Sequence, residues 1–305
     1  MASLPLIAAT PSVMRTGSWD DYALIDSGLG RKLERYGPYK VIRPEPQCLW
    51  DPALPAEVWD AADATFDPSD EEDAGRWRFA APPRDTWPLA WESVKFKARF
   101  TAFRHLAFFP EQAANWSWLK AQVQAMRGPQ PRILNLFGYT GVASLVCASA
   151  GAAVTHLDAS KKAVGWAREN AELSGLADRP IRWICEDATR YLQREVRRGS
   201  QYDAIILDPP KYGRGPNGEV WRLFENLPEL ASLCAQLLSE NASFLLLNAY
   251  AERISGPALA GLLADRLKSR GGEISWGELA LSQDGGAREI GMSFFARWTS
   301  GGPAA

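Results

Sequence analysis

The sequence has few of the residues that build metal sites and disulfides. Only four cysteines and two histidines occur in 305 residues, and they are scattered: Cys48, Cys147, Cys185, Cys234, His105 and His156. No C-x-x-C pair is present, so no zinc-ligand spacing can be recognised. The sequence therefore predicts no metal site, and it predicts buried, reduced thiols of the kind expected in the cytoplasm.

Long apolar runs and an excess of positive charge are also missing. No stretch reaches the ~18 apolar residues of a membrane-spanning helix, and the first residues, MASLPLIAATPSVMRTG, lack the basic start of a secretory leader. We therefore expect no membrane insertion and a cytoplasmic location. The formal net charge of -2 provides no general attraction for nucleic acid, so any such binding needs a local basic patch.

The sequence does contain a glycine turn after an apolar strand. The segment from Arg132 to Gly141, RILNLFGYTG, is followed by a helix-like segment that starts at Val142. This pattern opens nucleotide-binding α/β units, but the dinucleotide fingerprint G-x-G-x-x-G is absent. Asp158 ends the next apolar run, where such folds place a carboxylate that binds ribose hydroxyls. A ligand with a ribose and no phosphate, such as S-adenosylmethionine (SAM), fits this pattern.

From Arg132 onward, apolar strands alternate with amphipathic helices, which predicts a parallel sheet with helices on both faces. Five strands are expected near residues 133–137, 154–158, 181–185, 204–208 and 244–248. Ser160 and Ser255 are candidate helix caps. Strict apolar alternation from Ile290 to Trp298 indicates an antiparallel edge hairpin. The predicted fold class is therefore α/β, with a seven-stranded Rossmann-like sheet.

The part of the chain before this sheet has a different composition. Residues 1–20 are predicted to be a loose arm, residues 21–109 a small β-rich α+β domain, and residues 110–305 the domain with the parallel sheet. Five tryptophans of the first third are either its core or a base-stacking surface, and a core is favoured: Trp50, Trp59, Trp77, Trp87 and Trp91. Basic residues interleaved with aromatic ones in WRF and VKFKARF form the candidate basic surface.

Four motifs together resemble the class I SAM-dependent methyltransferases: NLFGYTG, DAS at 158–160, EDA at 186–188 and DPPKYG. With LAFFPEQAANW before them and LDASKKAVGWARENAELSGL between them, their order is similar to the bacterial 23S ribosomal RNA large-subunit methyltransferase family that includes the cytosine-5 enzyme. The resemblance covers about residues 22–298 and is strongest over 108–213. It departs at the front, where there is no room for the PUA-type RNA-binding domain that members often carry.

The resemblance implies a site for SAM, whose product is S-adenosylhomocysteine. It places around the cofactor the residues Asn135, Phe137, Gly138, Tyr139, Thr140 and Gly141 for the methionine part, Asp158, Ala159 and Ser160 for the ribose, and Asp187 and Ala188 for the adenine. Phe109 and Gln112 would close over the cofactor, and Asp208 would border it.

The resemblance places the methyl acceptor at the five residues Asp208, Pro209, Pro210, Lys211 and Tyr212. In similar motifs the acidic or amide side chain and a proline carbonyl accept an N–H of the base, and the next aromatic residue stacks on it. Here Lys211 intervenes, and it either contacts a phosphate or carboxylate or is a surface lysine. The glycine-rich residues 212–218 are the expected mobile lid.

Cytosine-5 methylation requires a cysteine thiolate that adds to the base. Where the cytosine-5 members carry that cysteine, just after the fifth strand, this chain has Asn248-Ala249-Tyr250. We therefore predict a SAM-dependent methyltransferase acting on RNA, with ribosomal RNA favoured and a nitrogen acceptor favoured over cytosine C5. Two alternatives stay open: a small-molecule or protein substrate, and a non-catalytic cofactor-binding ribosome-assembly factor. The oligomeric state is left open.

Overall fold

The computed structural model of the chain describes residues 4–69, 75–250, 254–286 and 288–301. These residues form two compact units. The β-rich unit comprises Arg15–Ala114 and Ala280–Gly291, and the sheet unit comprises the rest of the described chain. Within the described ranges, no helix is long and apolar enough to span a membrane.

The first third of the chain is built mainly from strands. In order, its elements are β1 (Leu6–Ile7), β2 (Ser12–Thr16), β3 (Tyr22–Gly28), β4 (Arg31–Tyr36), β5 (Tyr39–Pro44), α1 (Ala56–Asp60), β6 (Ala64–Pro68), β7 (Gly75–Phe79), β8 (Trp87–Trp91) and β9 (Val94–Ala98). A 3-10 turn at Pro110–Gln112 leads directly into helix α2 (Ala113–Ala125).

Strands and helices alternate in the remainder of the chain. The elements are β10 (Arg132–Leu136), α3 (Val142–Ser149), β11 (Ala153–Asp158), α4 (Lys161–Leu173), β12 (Ile181–Cys185), α5 (Ala188–Arg197), β13 (Ala204–Leu207), β14 (Tyr212–Arg214), β15 (Val220–Arg222), α6 (Leu223–Leu237), β16 (Phe244–Ala249), α7 (Gly256–Arg266), β17 (Glu273–Ser282) and β18 (Glu289–Thr299).

The β-rich unit contains a five-stranded sheet in the order β3-β4-β5-β6-β7 and a two-stranded sheet of β8 and β9. Three of its tryptophans, Trp59, Trp87 and Trp91, are at most 7% exposed. They pack in the interior, as the favoured core interpretation of the tryptophans expects. In β9 the buried residues alternate with Lys95 and Lys97, so that strand has one polar face.

The sheet unit is organised around a nine-stranded sheet. The strand order is β1-β17-β18-β16-β13-β10-β11-β12, and β2 also pairs with β17. Strands β12, β11, β10, β13 and β16 are parallel neighbours, whereas β18 runs antiparallel to β16. The α/β fold class and the five predicted parallel strands are therefore confirmed, to within one residue at each end.

The predicted loose arm is wrong for residues 4–20, because β1 and β2 lie in this segment. Leu6 pairs with Glu273 in parallel register, and the indole Nε1 of Trp276 donates to the carbonyl of Ala8 at 2.8 Å. A Cβ at Gly277 would overlap the carbonyl oxygen of Ser12. Such short strands have no local sequence signature, since their pairing partner lies near the other end of the chain.

One of the predicted buried cysteines is exposed. Cys48, Cys147 and Cys234 are buried, but Cys185 is exposed at the carboxyl end of β12. The prediction failed because β12 is the last strand on its side of the sheet, so the burial typical of a central parallel strand does not apply to it.

Candidate functional site

The candidate site lies at the carboxyl ends of the parallel strands in the sheet unit. Strand order reverses at β10, because β11 and β12 lie on one side of it and β13 and β16 on the other. The register pairs Leu136 with both Leu157 and Leu207. Residues at and just after these strand ends, among them Asp158 and Asp208, therefore share one edge. This reversal point is where open α/β sheets bind ligands.

The glycine turn between β10 and α3 has an unusual backbone. Phe137, Tyr139 and Gly141 have φ values of 58°, 48° and 86°, in the left-handed region that costs a non-glycine residue about 1 kcal/mol or more. At Gly138 the requirement is space, since a Cβ would lie 2.4 Å from Cε1 of His156. Its N–H donates to a carbonyl of β11 at 2.9 Å, so the turn is held against that strand.

The Asp158 carboxylate connects the glycine turn to the segment that begins α4. Its Oδ2 accepts from the backbone N–H of Tyr139 at 2.9 Å, and its Oδ1 accepts from that of Ser160 at 2.8 Å. Burial raises the pKa of this carboxyl, and the two backbone hydrogen bonds oppose that shift. A carboxylate has about four acceptor positions, so each oxygen can accept a further hydrogen bond.

A buried polar network of β10, α3 and β11 supports the glycine turn from the interior of the unit. Asn135 Nδ2 donates to Ser144 Oγ at 2.8 Å, and Ser144 Oγ lies 3.0 Å from His156 Nδ1. Burial lowers the pKa of His156 to about 3, so its imidazole is neutral at physiological pH. On the other side, Asn170 Nδ2 donates to the carbonyl of Thr140 at 2.9 Å. Asn135 and Thr140, both predicted cofactor residues, are each only 2% exposed.

The predicted ribose and adenine residues sit at two helix starts. Ser160 caps α4, since its Oγ accepts from the N–H of Ala163, and Ala159 precedes it with partial exposure. Asp187 caps α5 in the same way, and Ala188 is the buried first residue of that helix. The structure brings all four predicted residues to the side of the site formed by β11 and β12.

Asp208 follows β13 and is held by a buried amide that the sequence did not predict. Its Oδ1 accepts from Asn248 Nδ2 at 2.9 Å, and Asn248 Oδ1 accepts from Ser293 Oγ at 3.4 Å. Asn248 is 1% exposed and Ser293 is 4% exposed. The buried amide thus holds the Asp208 carboxylate in place through one of its oxygens.

The proline carbonyl of the motif has its own partner. Pro209 is buried, and the carbonyl of Pro210 accepts from the indole Nε1 of Trp221 at 2.7 Å. Lys211 is exposed, and its carbonyl accepts from the N–H of Leu223 at 3.0 Å. Tyr212 begins β14, so part of the predicted loop 212–218 is a strand rather than a loop.

Phe109 and Gln112 belong to the β-rich unit. The ring of Phe109 lies 4.6 Å from that of His105 between centroids, and Gln112 is 8% exposed in the 3-10 turn. Their closure over a cofactor stays a prediction. In the described part of the chain, no group of three or more His, Cys, Asp or Glu side chains is placed to hold a metal ion.

This architecture is shared with a solved structure over nearly the whole chain. The SAM-dependent methyltransferase from Agrobacterium tumefaciens is 49% identical, covers 98% of this chain and 96% of its own, and superposes with a TM-score of 0.94. The chain belongs to the SAM-dependent methyltransferases. SAM is therefore its cofactor, and methyl transfer is its reaction.

Other relatives of this methyltransferase match only part of it. The Shewanella sp. (strain ANA-3) ribosomal RNA large subunit methyltransferase K/L is 28% identical over 51% of this chain and 22% of its own length. The Aeromonas salmonicida ribosomal RNA large subunit methyltransferase I is 39% identical over 27% of this chain and 21% of its own. The chain thus spans about a fifth of these curated relatives. The family model Conserved hypothetical protein 95 matches residues 112–242.

The site of this methyltransferase fits a nucleoside cofactor without phosphate. The lack of a side chain at Gly138 lets the turn pack against His156, and Asp158 retains acceptor positions for ribose hydroxyls. The sequence did not predict three residues that support the site: Asn248, Trp221 and His156. Two of them could have been found from the sequence, because a polar residue in an otherwise apolar strand must have a buried partner. The histidine in VTHLD and the asparagine in FLLLNA are such residues.

Proposed function

We propose that this methyltransferase acts on RNA, with ribosomal RNA favoured, and that the acceptor is a nitrogen atom of a base. The names of the partial relatives support the substrate class, and the position of Asp208 supports the acceptor atom. SAM supplies an electrophilic methyl group when it is bound. The remaining work of the protein is to hold and orient the acceptor, because an in-line transfer depends mainly on alignment.

In this proposal the predicted cofactor residues take different roles. Asp158 accepts hydrogen bonds from the ribose, with Ala159 and Ser160 beside it, and Asp187 and Ala188 border the adenine. Phe137, Gly138, Tyr139 and Gly141 surround the methionine part through the backbone of the turn. Asn135 and Thr140 act from below, since their burial and hydrogen bonds favour a supporting role. Phe109 and Gln112 keep their proposed closing role.

The Asp208–Asn248 hydrogen bond carries the acceptor assignment. A base nitrogen has an N–H that a carboxylate can accept, whereas cytosine C5 needs a thiolate to add to the ring. Asn248 stands in the region where the resemblance places that cysteine. Burial raises the pKa of Cys147 to about 12 and raises that of Cys234 as well, so neither thiol is prepared as a nucleophile.

The test combines a transfer assay with identification of the product. The protein is incubated with labelled SAM and stripped ribosomal RNA, then with a metabolite extract and a protein extract. Digestion and mass spectrometry of the RNA should reveal an N-methylated base. Label found only in metabolites or proteins would reject the RNA proposal. Methylated cytosine C5 would reject the nitrogen assignment, and a protein that binds S-adenosylhomocysteine but labels nothing would favour the non-catalytic alternative.

We expect Asp208→Ala to abolish transfer while the affinity for S-adenosylhomocysteine stays within about 1.4 kcal/mol, a tenfold change. The reason is that the carboxylate acts on the acceptor, whereas Asp158 and the glycine turn hold the cofactor. Asp208→Asn is the matched variant, because it keeps a side-chain oxygen and should retain part of the rate. Calorimetry measures the affinity, and transfer at the parental rate in Asp208→Ala would contradict the assignment.

A further inference from the structure

A two-stranded hairpin follows the Asp208 turn directly and has two different faces. Strands β14 and β15 pair in antiparallel register, with Tyr212 opposite Arg222 and Arg214 opposite Val220. Tyr212 and Val220 are 48% and 46% exposed, and both arginines are exposed. Because side chains alternate along a strand, these four residues form one face, which we call the outer face of the hairpin.

The opposite face anchors the hairpin to the catalytic turn. Trp221 is 5% exposed, its ring centroid lies 5.1 Å from that of Phe137, and its Nε1 donates to the carbonyl of Pro210 at 2.7 Å. Leu223, 1% exposed, adds the backbone hydrogen bond to Lys211. The position of the outer face is thus fixed relative to Asp208.

Exposed apolar groups are concentrated on the outer face and at the start of α6, which follows it directly. Among its described residues after position 14, the sheet unit exposes three large hydrophobic side chains: Tyr212, Val220 and Phe224. Phe224 is 59% exposed. All three come from one thirteen-residue segment around the hairpin. A monomeric surface rarely exposes clustered aromatic residues without a partner that covers them.

The charges on and beside this face favour an anionic partner. Arg214 makes no side-chain hydrogen bond or salt bridge with the described residues, and Arg222 approaches Glu225 only at 3.4 Å, on the surface. Glu219, near the hairpin tip, is already paired with Arg190 at 2.5 Å. The arginines of the outer face therefore keep donors available in a chain whose net charge is -2.

We propose that the outer face, together with Phe224 at the start of α6, binds single-stranded RNA that flanks the methylated base. Bases would stack on Tyr212 and Phe224, and phosphates would pair with Arg214 and Arg222. Aromatic rings beside arginines are the surface that single strands recognise, since every base has a face that stacks. This inference rests on the proposed RNA substrate. It turns the predicted lid into a fixed platform beside Asp208.

The experiment measures binding of a fluorescein-labelled, unstructured 12-nucleotide RNA by anisotropy at several potassium chloride concentrations. Tyr212→Ala and Phe224→Ala should each weaken binding at least about fivefold, the loss typical of one stacked base. Arg214→Ala should lower the salt slope by about one phosphate contact, whereas Arg214→Lys should preserve it. Arg168→Ala, an exposed arginine of α4, is the control and should bind like the parent.

Two further measurements separate the possible failures. Calorimetry with S-adenosylhomocysteine should give parental affinity for every variant, which verifies that each one is folded. If the parent methylates RNA but the Tyr212, Arg214 and Phe224 variants bind the oligonucleotide like the parent, the platform is rejected and the proposed function stands. If the parent neither binds nor methylates RNA, and labels another class of molecule, both proposals are rejected.

Discussion

Gly138 and His156 determine whether the cofactor turn can form. The turn needs a glycine because a Cβ at position 138 would lie 2.4 Å from Cε1 of His156. The histidine cannot easily yield, since it is fully buried and its Nδ1 contacts Ser144 at 3.0 Å. The conformation of the cofactor turn therefore depends on how the buried His156 ring packs against it.

Gly138→Ala should therefore destabilise the protein by about 1–3 kcal/mol, the usual penalty for overpacking, and weaken binding of S-adenosylhomocysteine. The matched control is Gly165→Ala in the middle of α4, where an added Cβ meets nothing within 4 Å. That change should stabilise the helix by roughly 0.5–1 kcal/mol. Urea denaturation and calorimetry measure both effects. Parental affinity in Gly138→Ala would show that the turn has room to spare.

At the scale of elements, the β-rich unit contains a buried ion cluster that joins β3, β4 and β5. Arg43 donates to both oxygens of Glu34, at 2.7 and 2.8 Å, and Tyr22 adds a hydrogen bond at 2.8 Å. Burial alone would raise the pKa of Glu34, but Arg43 and Lys32 bring it down to about 2. The cluster therefore fixes the register of neighbouring strands through charge.

We expect Glu34→Gln to destabilise the β-rich unit by about 3–5 kcal/mol, because it leaves the buried Arg43 without its counterion. The double variant Glu34→Gln with Arg43→Met removes both charges and should recover much of this loss. Urea denaturation of the two variants and the parent measures the coupling. Equal destabilisation by the single and double changes would mean that packing, not charge, is responsible.

For the whole molecule, two buried groups make the free energy of unfolding depend on pH. The pKa of His156 is about 3 in the fold and about 6.5 in an unfolded chain, so only the unfolded state takes up this proton between those values. Stability is therefore lost as the pH falls from 6.5 toward 3. Glu34, lowered from 4.5 to about 2, adds its own loss only as the pH falls below about 4.5.

Between pH 6.5 and 4.5, His156 should thus contribute a loss of about 1.4 kcal/mol per pH unit. In His156→Asn, which cannot titrate but keeps a polar atom near Ser144, this part of the slope should disappear. Denaturation midpoints at four pH values for both proteins measure the difference, in which other titrating groups cancel. An unchanged slope in the variant would contradict the assignment of the proton uptake to His156.

The fold was more predictable than the arrangement within the site. Hydrophobic periodicity identified the five parallel strands, because burial on both faces leaves an apolar run that is readable locally. The hydrogen bond from Asn248 to Asp208 joins two strands forty residues apart, and no local pattern encodes such a pairing. The same reason explains why β1 and β2 were missed, since their partner β17 is more than 250 residues away.

The pairing of Leu6 with Glu273 also sets an order of events during synthesis. At about 5–20 residues per second, β1 leaves the ribosome roughly ten seconds to a minute before its partner β17 has been made. Strand β16 waits for a shorter time, roughly 2–10 seconds at the same rate, before its neighbour β18 has been made. This side of the sheet can therefore close only after β17 and β18 have been made, and until then the nascent chain exposes a strand edge that chaperones could protect.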